Sequence, residues 1–550
     1  MLRTAHGIQH WTATALSLAA LCFAGAQVSA FVRAKSLTYD ETFYLNCTLQ
    51  SVADGHLDHR LVQAGTAPLG AVAANLPVAL MRGGHQIADP WLGEPEHLTQ
   101  NPISRAISAL VVLTSLAVMV GWIVARRQGA VAGALGAWLL LASPSMLGHG
   151  SLATTDAPFV LATVLALLAV AQFRHRGGLA WGAAVAVSLA IAFSTKYTGA
   201  FLGPVLAIAL VWDQVSAAGT TSAKWAGAGR AIGKSLVIGI GVFFVAWALH
   251  GFQWVPYEGR TLAETPALWQ PAPLHGLGVQ LAHNQRGHQA YLMGNFSMSG
   301  WWYYYPATML LKSTPAEWLL MVLAGFGVAQ LVRTKTDDLT LHTFAIAGVV
   351  LMALAMRSRI CIGQRYVLPV YPLLIVLGCC WNGGLSRRMH ALALGLLVLV
   401  QVFSSTAIAP HQLAYFSPLI GTSDRSAFLV DSNLDWGQDL PALRQQLERL
   451  EAQNTILQYF GSAIPEHYGV HGTPLMDIHP TELSRYDTIA VSATFLQGGY
   501  SFGRDPFHAL RTCQPAAMAG HSIYIYSLRD PAVARAVGVA KRREVPMRNK

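Results

Sequence analysis

Charge is scarce in this chain: of 550 residues only 12% are Asp, Glu, Lys or Arg, about half the share of an ordinary soluble protein. That scarcity excludes a disordered polyelectrolyte, which needs polar residues to stay open, and a purely aqueous enzyme. Cysteine is scarce too. The six present (Cys22, Cys47, Cys361, Cys379, Cys380, Cys513) form no CxxC pair and no zinc-ligand spacing. Among Cys47, Cys361 and Cys513 spacing alone fixes no bridge. What fills the chain is apolar, 53% of it, with a mean hydropathy of +0.40. This is the composition of a polytopic membrane protein.

Apolar runs of spanning length fall near 11–32, 104–125, 129–147, 157–173, 178–194, 199–213, 234–250, 315–332, 340–356, 366–381 and 389–408. They predict about eleven transmembrane helices. The first run ends in Val28-Ser29-Ala30, which mimics a signal-peptidase site; it is nevertheless long enough to cross a bilayer and reads as a retained first helix. With the N-terminus cytoplasmic, alternate segments place 12 basic residues (Arg3, Arg126, Arg127, Arg174, Arg176, Lys224, Arg230, Lys234, Arg333, Lys335, Arg387, Arg388) inside. Only three acids, Asp213, Asp337 and Asp338, join them. Nearly all of the formal +10 charge therefore sits inside, as the positive-inside rule requires. The basic balance is topological, so no nucleic-acid partner is implied. The basic tail Lys541-Arg542-Arg543 falls outside, where contact with anionic lipid is expected.

Polar mass lies on the outer side: loops 33–103 and 251–314, and a region from 409 to the end. Long loops on one face of a rigid scaffold usually carry function. The expected division is a membrane module, 1–408, and an outer-face C-terminal domain, 409–550. Within that domain 428–432 reads as a strand. Asp439 reads as a helix N-cap with Pro441 in the first turn, and Leu440, Leu443, Leu447 and Leu450 follow at helical spacing. Strand-like runs at 455–460, 488–492 and 522–526 complete a small α/β unit.

Candidate chemistry gathers at outer helix ends. Thr38-Tyr39-Asp40-Glu41-Thr42 opens the first loop; it is either a hydrated loop start or a general base for an acceptor hydroxyl. On an extended backbone the two carboxylates point apart, so Asp40 faces the reacting centre and Glu41 supports it. In the second outer turn Asp156 is a helix cap or a second acid. With His149 and Asp40 or Glu41 it could hold a divalent cation, although nothing in the spacing demands a metal. Lys196, in the short turn Ser194–Gly199, and Arg365, in Gln364-Arg365-Tyr366, are snorkelling cations or phosphate ligands. Arg105, at the outer start of the second span, is a third such cation. The run Trp301-Trp302-Tyr303-Tyr304-Tyr305-Pro306 is an interfacial belt or a stacking platform. Asp431-Ser432-Asn433-Leu434-Asp435-Trp436-Gly437-Gln438-Asp439 imitates a calcium loop, but its glycine comes one place late and Ala442 stands where the bidentate Glu belongs.

Tyr39-Asp40-Glu41, Thr154-Thr155-Asp156-Ala157-Pro158, Thr195-Lys196-Tyr197-Thr198 and Arg365-Tyr366-Val367-Leu368-Pro369 together resemble the GT-C membrane glycosyltransferases. The protein O-mannosyltransferases and the bacterial aminoarabinose transferases are the relatives in view. His411–Phe416 and Asp431–Asp439 resemble a bacterial subgroup with an outer C-terminal domain. The chain departs from relatives that carry His/Lys-Pro-Pro-Leu late in the first loop, reading Thr66-Ala67-Pro68-Leu69 instead. The resemblance implies an all-α polytopic GT-C-like fold with a small α/β outer domain. It also implies a polyprenyl-phosphate-linked sugar donor, transfer with inversion, and an extracytoplasmic acceptor (protein hydroxyl, lipid or glycan). Asp40, Glu41 and Asp156 would be the catalytic acids and Arg105, Lys196 and Arg365 the donor-phosphate ligands, with His149, Tyr197 and Tyr366 in support. Either no cofactor or a divalent cation is expected. The competing class is a transporter or flippase, which would place its ionisable groups near the bilayer midplane.

Overall fold

The computed structural model describes residues 2–91, 101–257, 268–334, 338–421, 423–501 and 504–543. Lys335 and Asp337 of the inner charge set lie outside them, as do the side chains of Arg3 and Arg543. Each of the eleven apolar runs is helical, but they are not eleven equal spans. Among the described residues, eight helices are long and apolar enough to cross a membrane. A ninth, Ala130–Leu141 with Pro144–Gly150, bends by 62° at its break. Leu339–Ala355 and Val370–Cys380 are shorter; eleven residues at 1.5 Å each reach about 16 Å, half of a hydrocarbon core. Apolar length in the sequence had counted flanking 3₁₀ and extended residues as helix.

The bundle core is built from small and branched residues on adjoining helices. Gly133 meets Gly121 and Ala125 so closely that a Cβ on Gly133 would stand 2.5 Å from the Gly121 carbonyl oxygen, which is the helix-packing use of small residues. At one end of the bundle, two of the three inner acids are held in two-toothed pairs. Arg127 grips Asp338 at 2.6 and 2.7 Å, and Arg174 grips Asp213 at 2.9 and 2.6 Å.

The first polar loop is itself mostly helical: Tyr39–Asp54, His59–Gln63 and Pro68–Arg82. The C-terminal region contains a four-stranded sheet in the order Thr455–Gln458, Thr488–Ser492, Ile523–Ser527, Ala517–Ala519. Its first pair is parallel and the others antiparallel. Helix Leu440–Arg449 covers it with Leu440, Leu443 and Leu447 against Leu457, Ala490 and Ile525.

Three sequence expectations fail here. Residues 428–432 form no strand; they run into the 3₁₀ turn Asp431–Asn433, with Asp431 at φ +56°. Their polar groups are spent elsewhere: Ser432 Oγ donates to the Ile362 carbonyl (2.8 Å) and Asn433 Oδ1 accepts from Gln364 N (2.9 Å). Nor does Asp439 cap its helix with its side chain; it pairs with Lys35 and accepts from Ser522 Oγ at 2.7 Å. Lys541, expected at lipid, donates to the carbonyls of Leu475 and Met476 at 2.8 Å each.

Candidate active site

Asp40 and Glu41 are not on extended backbone. They occupy the first turn of helix Tyr39–Asp54, where Thr38 and Glu41 form a capping box and Glu41 Oε2 accepts from Thr38 N and Oγ1 at 2.9 Å each. Neighbours on a helix point about 100° apart, so the two carboxylates enter different surroundings.

Glu41 turns inward and is fully buried. Arg105 clamps it through Nε (2.8 Å) and Nη2 (2.5 Å), and Ala153 N donates to it at 2.8 Å. Burial would raise its carboxyl; Arg105 and the backbone donors outweigh that and hold it below the ordinary carboxylate range. The remaining reach of Arg105 ends on the carbonyls of Lys35 (2.9 Å) and Ser36 (2.8 Å). Two expectations are therefore corrected. Every nitrogen of Arg105 already donates to the protein in a fully buried setting, and Glu41 has no free lone pair facing a reactant. Together they pin the first helix to the start of the first loop and to the second span.

Asp40 turns outward and keeps its side chain 19% exposed. Its Oδ2 accepts from Arg365 Nη1 at 2.7 Å. The same Nη1 lies 3.5 Å from Asp156 Oδ2, and Asp156 Oδ1 pairs with Lys196 Nζ. Residues 40, 156, 196 and 365, from four distant parts of the chain, form one continuous line of alternating charge. Local structure aims each of them. Lys196 sits at a break in extended conformation (φ −155°, ψ 130°) between helix Gly178–Thr195 and the turn Tyr197–Phe201. Asp156 opens helix Asp156–Arg176. Arg365 lies in the 3₁₀ turn Gln364–Val367. The chain before it passes so close to Ser432 that a Cβ on Gly363 would sit 2.1 Å from Ser432 Oγ.

Aromatic faces complete the line. Lys196 Nζ stands 4.4 Å from the Tyr366 ring centroid, and Arg365 is sandwiched between Tyr366 (5.3 Å) and Trp436 (4.3 Å), contacts that favour a cation electrostatically. Tyr366 thus touches both cations. His149 is buried edge-on to Trp436, with Nδ1 lacking a partner among the described residues. Tyr197 does otherwise: its hydroxyl meets His250 Nε2 at 3.3 Å and its ring packs on Phe193. Among the described residues no three His, Cys, Asp or Glu side chains converge as a bound metal would need.

Sequence reading missed the contribution of the C-terminal region. Trp436 covers Arg365, and its carbonyl accepts from Tyr39 N at 2.9 Å beside Asp40. Asp431 pairs with Tyr500 Oη, which meets His288 Nε2 at 3.0 Å. Burial pushes the Asp431 carboxyl up to about 6, against the pull of Tyr500 and Arg365. The calcium-like spacing of 431–439 marked this segment as polar and structured, but its acids are parted: Asp431 to Tyr500, Asp435 to Thr494 N (2.9 Å), Asp439 to Lys35. In the aromatic run Trp302 and Tyr303 are exposed, whereas Tyr304 and Tyr305 are buried and hydrogen-bonded to Asn433 and Ile360.

Residues 97–238 match the family model of the dolichyl-phosphate-mannose-protein mannosyltransferases. That stretch carries Asp156 and Lys196 on their helix ends. No curated protein matches the chain's sequence. Among solved structures, the chain is similar to ArnT from Cupriavidus metallidurans bound to undecaprenyl phosphate, at 12% identity and a TM-score of 0.48 over 94% of this chain and 97% of that one. It is also similar to the oligosaccharyltransferase AglB from Archaeoglobus fulgidus in complex with an inhibitory peptide and a dolichol-phosphate. There the identity is 11% and the TM-score 0.44, over 88% of this chain and 71% of that one.

Proposed function

We propose that this chain is a membrane glycosyltransferase of the GT-C type, which moves a sugar from a polyprenyl-phosphate carrier to an acceptor hydroxyl at the outer membrane–water boundary, with inversion at the anomeric carbon. The observation that carries this reading is the charge line Asp40–Arg365–Asp156–Lys196. A prenyl phosphate leaves as an anion, so it needs cations rather than an acid. Lys196 and Arg365 supply them in a site walled by Tyr366 and Trp436, where exclusion of water strengthens each contact. Arg365 Nε is buried with no partner among the described residues, a donor held in reserve for a ligand oxygen. Asp156 holds the two cations side by side while the site is empty. As the donor phosphate engages Arg365, the guanidinium's hold on Asp40 loosens. Asp40 then takes the proton of the incoming hydroxyl as its oxygen bonds to the anomeric carbon and the carbon–phosphate-oxygen bond breaks. If the acceptor is itself a phosphate there is no such proton, and Asp40 only orients it. The positive-inside balance supports an N-terminus in the cytoplasm and the C-terminal region outside.

The test is purified protein with a radiolabelled polyprenyl-phosphate sugar and an envelope extract as acceptor source, followed by mass spectrometry of the product. Asp40→Asn should lower turnover about 10²–10⁴-fold with unchanged expression; near-normal turnover refutes the assignment of Asp40.

A further inference from the structure

The C-terminal region holds a second polar cavity that the transfer reaction does not use. It measures about 590 Å³ and is lined by, among others, Arg425, Arg511, Gln514, His521 and Tyr526, a volume typical of small-molecule sites. Its two guanidinium groups differ. Arg511 is committed, ion-paired to Asp505 and donating to the Leu496 carbonyl at 3.3 Å. Arg425 is not: its Nη1 is buried and meets no hydrogen-bond partner among the described residues. The acid next to it in sequence is already taken, since Asp424 accepts from Ser426 N (3.0 Å), Ser426 Oγ (2.9 Å) and Tyr524 Oη. His521 adds no charge, because burial and then Arg425 bring its imidazole down to about 4. A guanidinium N–H withdrawn from water with no acceptor is costly, and here it borders a space large enough for the acceptor to be a ligand.

We propose that this cavity binds a phosphorylated small molecule or headgroup, with its phosphate on Arg425 and the rest of the ligand against Gln514 and Tyr526. A planar guanidinium matches the oxygens of a phosphate in two-toothed fashion, and Arg425, whose Nη1 is still open among the described residues, is the group that offers it. The source is either a soluble sugar phosphate or the headgroup of an anionic phospholipid.

Isothermal titration of the full-length protein in neutral detergent separates these. The probes are glucose 6-phosphate, with glucose as control, and dihexanoyl phosphatidic acid, with dihexanoyl phosphatidylcholine as control. One phosphorylated probe should bind and its control should not. Binding of glucose 6-phosphate assigns the soluble source; binding of phosphatidic acid alone assigns the headgroup. Arg425→Gln should weaken binding about tenfold or more, the loss of one charge-assisted contact. Met518→Trp, which fills the cavity from its half-exposed wall and leaves Arg425 in place, should do the same and decides the matter if Arg425→Gln does not fold. The proposal is overturned if neither phosphorylated probe binds, or if both variants bind like the wild type.

Discussion

Asp40 and Glu41 are neighbours in one helical turn, and each meets an arginine, yet the two ion pairs differ in kind. Glu41–Arg105 is saturated: every contact is buried, both carboxylate oxygens are shared among side-chain and backbone donors, and the guanidinium spends what remains on two carbonyls. Asp40–Arg365 is unsaturated. Its carboxylate is partly exposed, its guanidinium is shared with Asp156, and one buried N–H has no partner. A closed pair holds structure, because breaking it strands a buried charge. An open pair can exchange its partner for a ligand. The lesson is that saturation, not residue type, separates scaffold from chemistry.

The comparison breaks most visibly at Lys196. Lys196→Met should reduce transfer about 10²–10³-fold, the cost of losing one charge-stabilising donor, while the thermal melt stays close to wild type; an intact rate would remove lysine from the phosphate site. Glu41→Gln should do the reverse. It leaves Arg105 buried and uncompensated, and stability should fall by about 3–5 kcal/mol, read as lost expression or a lowered melting temperature. Adding Arg105→Met should restore part of that loss. If Glu41→Gln melts normally but is inactive, the closed pair is catalytic after all.

A smaller effect concerns pH. The Asp431 carboxyl is raised to about 6 in the folded state, so between the ordinary carboxylate range and pH 6 the native protein holds a proton that the unfolded chain has released. By linkage, stability should decline as pH rises through that window and level off above it. Asp431→Asn should flatten that part of the slope, by about 1–3 kcal/mol across the window; an unchanged slope in a denaturation series would place the titration elsewhere. The smallest expected effect is none. Because cations already line the charge chain, removing divalent metal with a chelator should leave turnover unchanged, and a loss restored by Mn²⁺ or Mg²⁺ would bring a metal back into the site.

The membrane fold was legible because hydrocarbon demands long apolar runs, and such runs are local. Lys196 and Arg365 were legible as cations at apolar boundaries. Arg105 looked the same in sequence and proved different, since nothing local to 101–108 says that Glu41 lies across from it. The strand expected at 428–432 failed for a similar reason: its apolar run is real, but Ser432 and the adjoining Asn433 bond to 362 and 364 instead of a neighbouring strand. Tyr500 gave no sequence signal beyond being aromatic, and Trp436 stood inside the singled-out stretch 431–439 with nothing local to tie it to Arg365.

By itself the sequence determined which segments could enter lipid, where charge could stand, and that acids and bases gather at helix ends. Those properties follow from solvation, which each residue feels on its own. Tertiary structure alone decided which acid meets which base and which pair stays open, because pairing depends on segments hundreds of residues apart arriving at one place.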